Sequence, residues 1–157
     1  MMLGDIRLLK ERFSRFVKPH VTFELLHKRA VLPTLAHAED VGYDLRCLDD
    51  VILRPLSVTR VKTGVAISEC KSRFVRVFPK IEGRSGVALR GAFPVGGVIE
   101  PAYRGGIDVL MFSCEEIPLR AGDKVAQLVF YAFSKPARAC VELESPRGAA
   151  GFGSSGA

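Results

Sequence analysis

The sequence predicts an all-β fold, and three observations support this prediction. Short runs that are apolar, or that alternate apolar and polar residues, recur from residue 21 to residue 133, separated by Gly, Pro, Asp and Ser. Helix-length segments do not alternate with these runs, which argues against a parallel β-α-β sheet. With 157 residues, 48% of them apolar, the chain can bury one core without disulfides or metals. A sandwich, a jelly roll and a barrel all fit this pattern.

The first predicted element is an amphipathic helix over residues 3–17, which ends before Pro19. Its apolar positions recur at helical spacing with basic residues between them, and they are Leu9, Phe13, Phe16 and Val17. Such a helix packs on the body of the protein or on a neighbouring subunit. The alternative is an arm that binds a partner or nucleic acid. We assign residues 1–20 to this N-terminal extension.

The predicted strands follow in chain order and make up a β domain over residues 21–144. They cover residues 21–26, 51–53, 58–61, 65–67, 74–78, 87–89, 107–112 and 125–133. Residues 145–157 differ, because they are mostly small and cannot bury enough apolar surface to order alone. This segment is either a frayed tail or a flexible arm that orders over a ligand. Arg147 and Phe152 favour the arm, since both are costly to expose without use.

Charge and targeting signals narrow the function classes. The formal net charge of +6 suits either nucleic acid or a small anionic ligand, and most of the basic residues are scattered. Charged residues interrupt the apolar start, unlike in a signal peptide, and no apolar run reaches the ~18 residues of a membrane helix. We therefore expect an intracellular protein without membrane contact. The four cysteines lack zinc-ligand spacing, so we expect reduced thiols without a chemical role.

Four segments carry residues typical of an anion or nucleotide site. Residues 82–86 read Glu-Gly-Arg-Ser-Gly, residues 96–106 read Gly-Gly-Val-Ile-Glu-Pro-Ala-Tyr-Arg-Gly-Gly, and residues 122–127 read Gly-Asp-Lys-Val-Ala-Gln. The fourth segment is the C-terminal tail. Glycines let backbone N–H groups approach an anion, and Arg adds a forked donor. The second segment predicts a hairpin whose open backbone edge could bind a base, although each segment alone also fits an ordinary turn.

The order and spacing of these segments resemble the trimeric dUTPases, a family of deoxyuridine triphosphate pyrophosphatases with five motifs in fixed order. The matching segments are residues 41–45, 84–86, 97–105, 122–127 and 147–156. The resemblance covers about residues 21–157. It implies a jelly-roll or distorted β-barrel, hydrolysis of dUTP to dUMP and pyrophosphate with Mg²⁺, and a homotrimer with shared active sites. It also makes nucleic-acid binding an unlikely main function.

The resemblance implies a phosphate-binding and catalytic set. Asp44 would hold Mg²⁺ through water, and Ser85 would lie near the bond that breaks. Glu100 would be the general base that directs a water in line at the α-phosphorus. The implied phosphate contacts are Arg84, Ser85, Gly86 and Gln127.

The resemblance also implies a nucleoside-binding set. The hairpin at Gly97, Val98 and Ile99 would bind uracil through its main chain and exclude a 5-methyl group. Tyr103 would lie under the deoxyribose, where it would exclude a 2′-hydroxyl. The arm residues implied to close over the substrate are Arg147, Phe152, Gly153 and Ser154.

The chain departs from the family pattern at three positions. Glu100 stands where the family has Asp, and its added methylene can move the carboxylate by about 1 Å, a displacement that can cost on the order of a hundredfold in rate. Ala102 replaces a residue that is often acidic or Gly, and Ala150 replaces a Gly. We expect an active enzyme with Glu100 as its base.

Three alternatives compete with this interpretation. A dCTP deaminase on the same fold needs a Glu seven residues after the aromatic, where this chain has Leu110. A non-catalytic relative that binds partners would explain Glu100 and the basic N-terminal helix. Nucleic-acid binding through residues 7–18 is the third alternative, and a steep loss of affinity with salt would support it.

Overall fold

The computed structural model describes residues 20–72 and 76–134, which contain nine strands and a single-turn helix. The strands are β1 (His20–Leu25), β2 (Gly42–Arg46), β3 (Val51–Leu53), β4 (Ser57–Lys71), β5 (Arg76–Glu82), β6 (Ala92–Pro94), β7 (Gly106–Ser113), β8 (Ile117–Leu119) and β9 (Lys124–Phe133). The helix α1 (Ser85–Ala88) lies between β5 and β6. The prediction of an all-β fold is confirmed.

The strands form three sheets in which every paired neighbour is antiparallel. One sheet has the order β1-β4-β7-β6, the second β2-β9-β5, and the third is the pair β3-β8. Strand β9 lies in the middle of the second sheet, so its residues have cross-strand neighbours on both sides. Gln127 of β9 is opposite Asp44 of β2 and Glu82 of β5. Directly paired residues point to the same face of a sheet, so these three side chains share one face.

All three sheets contribute to one buried core. Strands β5 and β7 alternate between buried and partly exposed residues, as expected for sheets with one face on a core. Fully buried members of the cluster come from different sheets and include Leu45, Leu53, Val109 and Leu128. This shared core fixes the second sheet, which carries the polar face described above, against the rest of the domain.

Most strand predictions agree with the structure, and one is wrong. Residues 87–89 were predicted as a strand but belong to α1 and its end. The N–H groups of Val87 and Ala88 both bond the Arg84 carbonyl, at 3.0 and 2.9 Å. Val87 alone is buried, and Leu89 is 90% exposed, so this apolar triplet does not fill a core as a strand would.

Other predictions were incomplete or fall outside the description. Strands β2, β6 and β8 were not predicted from the apolar pattern. The predicted strand at residues 74–78 corresponds to the start of β5, although 74 and 75 are not described. The N-terminal helix, residues 1–19 of the predicted extension and residues 145–157 also lie outside the described residues, so the domain boundaries stay predictions. Among the described residues, no helix is both long and apolar enough to cross a membrane.

Candidate active site

A cavity of about 290 Å³ opens beside the polar face of the β2-β9-β5 sheet. Four residues predicted from the motifs line it together, and they are Asp44, Arg84, Ser85 and Gln127. Its volume is close to the lower limit of about 300 Å³ for pockets that enclose a small ligand. The cavity therefore has the size of part of a nucleotide site.

Asp44 is a buried carboxylate in the lining of this cavity. It lies on β2, is 3% exposed, and its N–H donates to the Thr34 carbonyl at 2.9 Å. Its Oδ1 forms an ion pair with Arg84, and Lys124 Nζ lies 2.6 Å from Oδ2. The Lys124 contact is an ion pair rather than a directed hydrogen bond, so Oδ2 is a buried acceptor without a hydrogen-bond partner in the described structure. A buried carboxylate requires such compensation, because desolvating an unpaired charge is costly.

Gln127 connects the strand β9 to the turn that carries Arg84. Its Nε2 donates to the Gly83 carbonyl at 2.9 Å, which leaves the second N–H of the amide for another acceptor. Arg84 follows Gly83 in an extended conformation and directly precedes α1. The side chains of Arg84 and Gln127 are thus positioned together at the cavity.

The backbone hairpin of residues 97–99 lies along β5. Ile81 N–H donates to the Gly97 carbonyl at 2.8 Å, and Ile99 N–H donates to the Pro79 carbonyl at 3.0 Å. Val98 is paired with Lys80 between these two bonds, so its own N–H and carbonyl point away from β5. Gly97 has φ +94°, and a Cβ there would lie 2.7 Å from the Ile81 carbonyl oxygen, so the close approach requires glycine.

A tight turn presents Glu100 and Tyr103. Tyr103 N–H donates to the Glu100 carbonyl at 2.9 Å, with Pro101 at the second turn position, where its fixed φ is favourable. Arg104 Nη1 donates to the carbonyls of Pro101 and Tyr103, both at 2.8 Å, and so stabilises the turn from outside. The Glu100 side chain is exposed, and it forms no hydrogen bond or ion pair with any other described residue.

Tyr103 packs closely on the glycines that end the turn. Its hydroxyl donates to the Gly106 carbonyl at 3.0 Å. A Cβ at Gly105 would lie 2.6 Å from the Tyr103 Cζ, so glycine at this position leaves room for the ring. The ring is thereby held in one orientation beside the hairpin.

The predicted site residues fall into two groups in one chain. The cavity group comprises Asp44, Arg84, Ser85 and Gln127, and Gly86 follows in α1. The hairpin group comprises Gly97, Val98, Ile99, Glu100 and Tyr103, and none of these lines the cavity. Arg147, Phe152, Gly153 and Ser154 lie outside the described residues.

Comparison with known proteins assigns the family. A sequence profile for dUTPases matches residues 28–156, which is most of the chain. The chain belongs to the dUTPase family. Curated relatives agree: a deoxyuridine 5′-triphosphate nucleotidohydrolase of Solibacter usitatus is 36% identical over 144 residues, spanning 87% of this chain and 95% of that protein. A probable enzyme of the same name from Schizosaccharomyces pombe is 37% identical over 136 residues, spanning 83% and 94%.

Solved structures place this dUTPase-family chain on the jelly-roll fold of the family. A dUTPase of phage 80alpha is 27% identical, with a TM-score of 0.67, over 87% of this chain and 98% of that chain. The dUTPase of EIAV is 23% identical with a TM-score of 0.65, over 80% of this chain and 99% of that chain, and shows the shared fold. The jelly-roll prediction is confirmed.

The motifs of this family member gave no role to four residues that line the cavity, which are Ala36, Asp40, Val41 and Gly42. They also gave no individual role to Lys124, which lies in the segment 122–127 and pairs with Asp44 from outside the cavity lining. Period-two alternation would put Lys124 and Gln127 on opposite faces of β9. A register shift between Leu45 and Arg46 removes this alternation, so that both side chains reach the side where Asp44 lies.

The donor set fits a magnesium ion that is bound mainly by a substrate. The described residues contain no group of three or more His, Cys, Asp or Glu side chains that could hold a metal alone. Asp44 nevertheless contributes a buried carboxylate to the cavity lining, beside the Arg84 guanidinium. Mg²⁺ typically keeps several waters and binds through one or two carboxylates together with substrate phosphates. One carboxylate in the lining of a cavity that has the size of part of a nucleotide site meets that requirement.

Proposed function

We propose that this chain hydrolyses dUTP to dUMP and pyrophosphate. The observation that carries the proposal is the convergence of Asp44, Arg84, Ser85 and Gln127 on one cavity in a member of the dUTPase family. These side chains come from β2, the turn before α1, α1 itself and β9. They supply a carboxylate, a guanidinium, a hydroxyl and an amide, which is a suitable set for a triphosphate and its associated cation.

The cavity group binds and orients the phosphates. Arg84 lines the cavity, and the guanidinium donors that do not pair with Asp44 can contact phosphate oxygens in a fork geometry. The free N–H of the Gln127 amide adds a neutral donor, and the exposed Ser85 hydroxyl adds another. These donors also stabilise the charge that develops on the leaving pyrophosphate.

The hairpin group selects the nucleoside. The main-chain N–H and carbonyl of Val98 point away from β5 and form the donor and acceptor pair that a uracil edge requires. The close packing of Gly97 on Ile81 keeps this edge narrow, which disfavours a 5-methyl group. The fixed ring of Tyr103 lies beneath the sugar and disfavours a 2′-hydroxyl.

Glu100 acts as the general base. Its carboxylate is exposed and without an ion-pair partner among the described residues, so it is available to accept a proton from water. The turn bonds from Tyr103 and Arg104 fix the backbone from which this longer side chain extends. The water attacks the α-phosphorus in line with the departing pyrophosphate.

Asp44 would hold Mg²⁺ through water when the nucleotide is bound. The ion would neutralise the charge of the triphosphate and of the leaving pyrophosphate. In the proposed enzyme, Arg147 would bind the terminal phosphate and Phe152 would stack on uracil. Gly153 and Ser154 belong to the same arm, which would exclude bulk water from the bound substrate.

The site is shared between copies in a homotrimer. The separation of the cavity group from the hairpin group supports this, since one chain does not bring Glu100 to the cavity that contains Asp44. A neighbouring copy supplies the missing group. The proposed enzyme works inside the cell.

An assay of substrate choice tests the proposal. Pyrophosphate release is measured with the full chain on dUTP, dTTP, UTP and dCTP, in Mg²⁺ and in EDTA. We expect release from dUTP in Mg²⁺ and at most traces from the other three. Equal release from dTTP or UTP would contradict the hairpin assignment, and no release from any of them would contradict the function.

A non-catalytic binding protein is the second candidate, and Glu100 at the family's Asp position is the observation that favours it. Binding of dUTP without pyrophosphate release would support it. A dCTP deaminase is disfavoured, because Leu110 lies on β7 where that enzyme needs a carboxylate. Ammonia release from dCTP would revive it.

A further inference from the structure

Two cations from different parts of the fold pair with the same buried carboxylate. Arg84 contacts Asp44 Oδ1 from the turn before α1, and Lys124 lies 2.6 Å from Oδ2 at the start of β9. Asp44 itself is 3% exposed, whereas the two cationic side chains are 29% and 33% exposed. One cation would suffice to balance one carboxylate, so this cluster carries an excess positive charge.

The two cations differ in their access to the cavity. Arg84 lines it, whereas Lys124 is absent from its lining and approaches Asp44 from the other oxygen. An anion in the cavity would therefore meet Arg84 first, whereas Lys124 contacts Asp44 from outside the lining. If Lys124 were absent, drawing Arg84 towards an anion would leave Asp44 buried and unpaired, which is strongly unfavourable.

We propose that Lys124 is a positioning residue, which keeps the Asp44 carboxylate charge-paired so that the Arg84 guanidinium can turn to the triphosphate of the nucleotide. This inference rests on the proposed function. Lys124 acts through Asp44 and Arg84 and need not touch the substrate. Its place on the Asp44 side of β9 depends on the register shift opposite Leu45 and Arg46.

Binding of the non-hydrolysable analogue dUpNHpp in EDTA tests the proposal without a metal. We expect Lys124→Met to raise the Kd about tenfold, below the full cost of removing a buried partner because Lys124 is one third exposed. Lys124→Arg should restore binding to within about threefold, since it keeps the charge. In Mg²⁺, the Met variant should raise KM for dUTP more than it lowers kcat.

A double-mutant cycle separates this role from a general loss of positive charge. In an Asp44→Asn background there is no carboxylate to pair, so Lys124→Met should change the Kd by about twofold or less. Lys62→Met removes an exposed cation from β4 and serves as the charge-matched control, with a change expected within about twofold. Lys124→Gln replaces the Met variant if that variant melts at a much lower temperature.

Three outcomes would overturn the proposal. They are an unchanged Kd in Lys124→Met, an equal loss in the Asp44→Asn background, and an equal loss in Lys62→Met. If the unaltered chain neither binds dUpNHpp nor releases pyrophosphate, the proposed function fails instead. The two failures are therefore distinguishable.

Discussion

Gly42 and Gln127 lie so close that the Gln127 side chain fills the space a Cβ at position 42 would need. A Cβ built on Gly42 would be 2.7 Å from the Gln127 Cδ, and Gly42 itself is buried. The same amide donates to the Gly83 carbonyl and so supports the turn before Arg84. A residue without a side chain therefore determines where the Gln127 amide lies.

Gly42→Ala should displace the Gln127 amide and weaken dUTP turnover. We expect kcat/KM to fall about tenfold or more and the melting temperature to drop, because overpacking a buried site typically costs about 1–3 kcal/mol. A Gln127→Ala background removes the two nearest of these contacts and leaves the Cβ of residue 127 at 3.0 Å, so the second loss should be smaller. If Gly42→Ala lowered kcat/KM by the same factor in both backgrounds, the contact between residue 42 and the Gln127 side chain would not explain the loss.

Glu100→Gln should remove the general base while keeping the shape of the side chain. We expect kcat to fall about a hundredfold or more, in line with general-base contributions, and dUpNHpp binding to be retained. Glu100→Asp should remain active, because it restores the carboxylate found in the family. Turnover by the unaltered chain that is no faster than that of the Gln variant would rule out Glu100 as the base.

Mixing two inactive variants should restore activity if sites are shared. Asp44→Asn damages the cavity group and Glu100→Gln damages the hairpin group. After subunit exchange, some sites would combine an intact cavity from one copy with an intact hairpin from another. We expect pyrophosphate release above the sum of the separate samples, with two Glu100→Gln preparations as the control. A mixture no more active than its components would place each site within one chain.

Gly105→Ala should loosen selection against a 2′-hydroxyl. The new Cβ would lie 2.6 Å from the Tyr103 Cζ, so the ring must move and its bond to the Gly106 carbonyl is lost. We expect the ratio of kcat/KM for dUTP over UTP to fall about tenfold. Tyr103→Phe is the matched control, because it keeps the ring and should preserve the ratio. An unchanged ratio in the Ala variant would remove Tyr103 from sugar selection.

Cys47 should be chemically inert in the folded protein. Burial, followed by the nearby charges of Asp123 and Asp50, raises the pKa of the Cys47 thiol to about 12. The reactive thiolate is therefore scarce at pH 8, whereas Cys114 is exposed. Iodoacetamide labelling with peptide mapping should modify Cys114 in the native protein and Cys47 only after unfolding. Equal labelling rates in the native protein would contradict this burial.

The sequence predicted the all-β class because short apolar runs recur along it. In the structure most of these runs are strands that bury apolar residues in the shared core. It did not predict β2, since Asp44 and Arg46 interrupt the apolar pattern there. It misassigned residues 87–89, because three apolar residues in a row do not reveal that only Val87 is buried. Local pattern cannot report which residues of a triplet face the core.

Motifs predicted Asp44, Arg84 and Gln127, whereas their pairing was accessible only in three dimensions. The two ion pairs of Asp44 join segments about 40 and 80 residues apart in sequence. Lys124 was missed because its direction depends on strand register rather than on residue type. The distance between the hairpin and the cavity likewise depends on how separate strands pack.

The irregular register between β2 and β9 has a consequence for protein engineering. Grafting residues 122–127 onto a regular strand of another scaffold would direct Lys124 and Gln127 to opposite faces, so only one could approach an acceptor on the neighbouring strand. A successful transplant must carry the extra residue of the bulge and its partner strand along with the motif. The segment 122–127 alone is therefore insufficient, and the graft must also include the neighbouring strand against which the bulge forms.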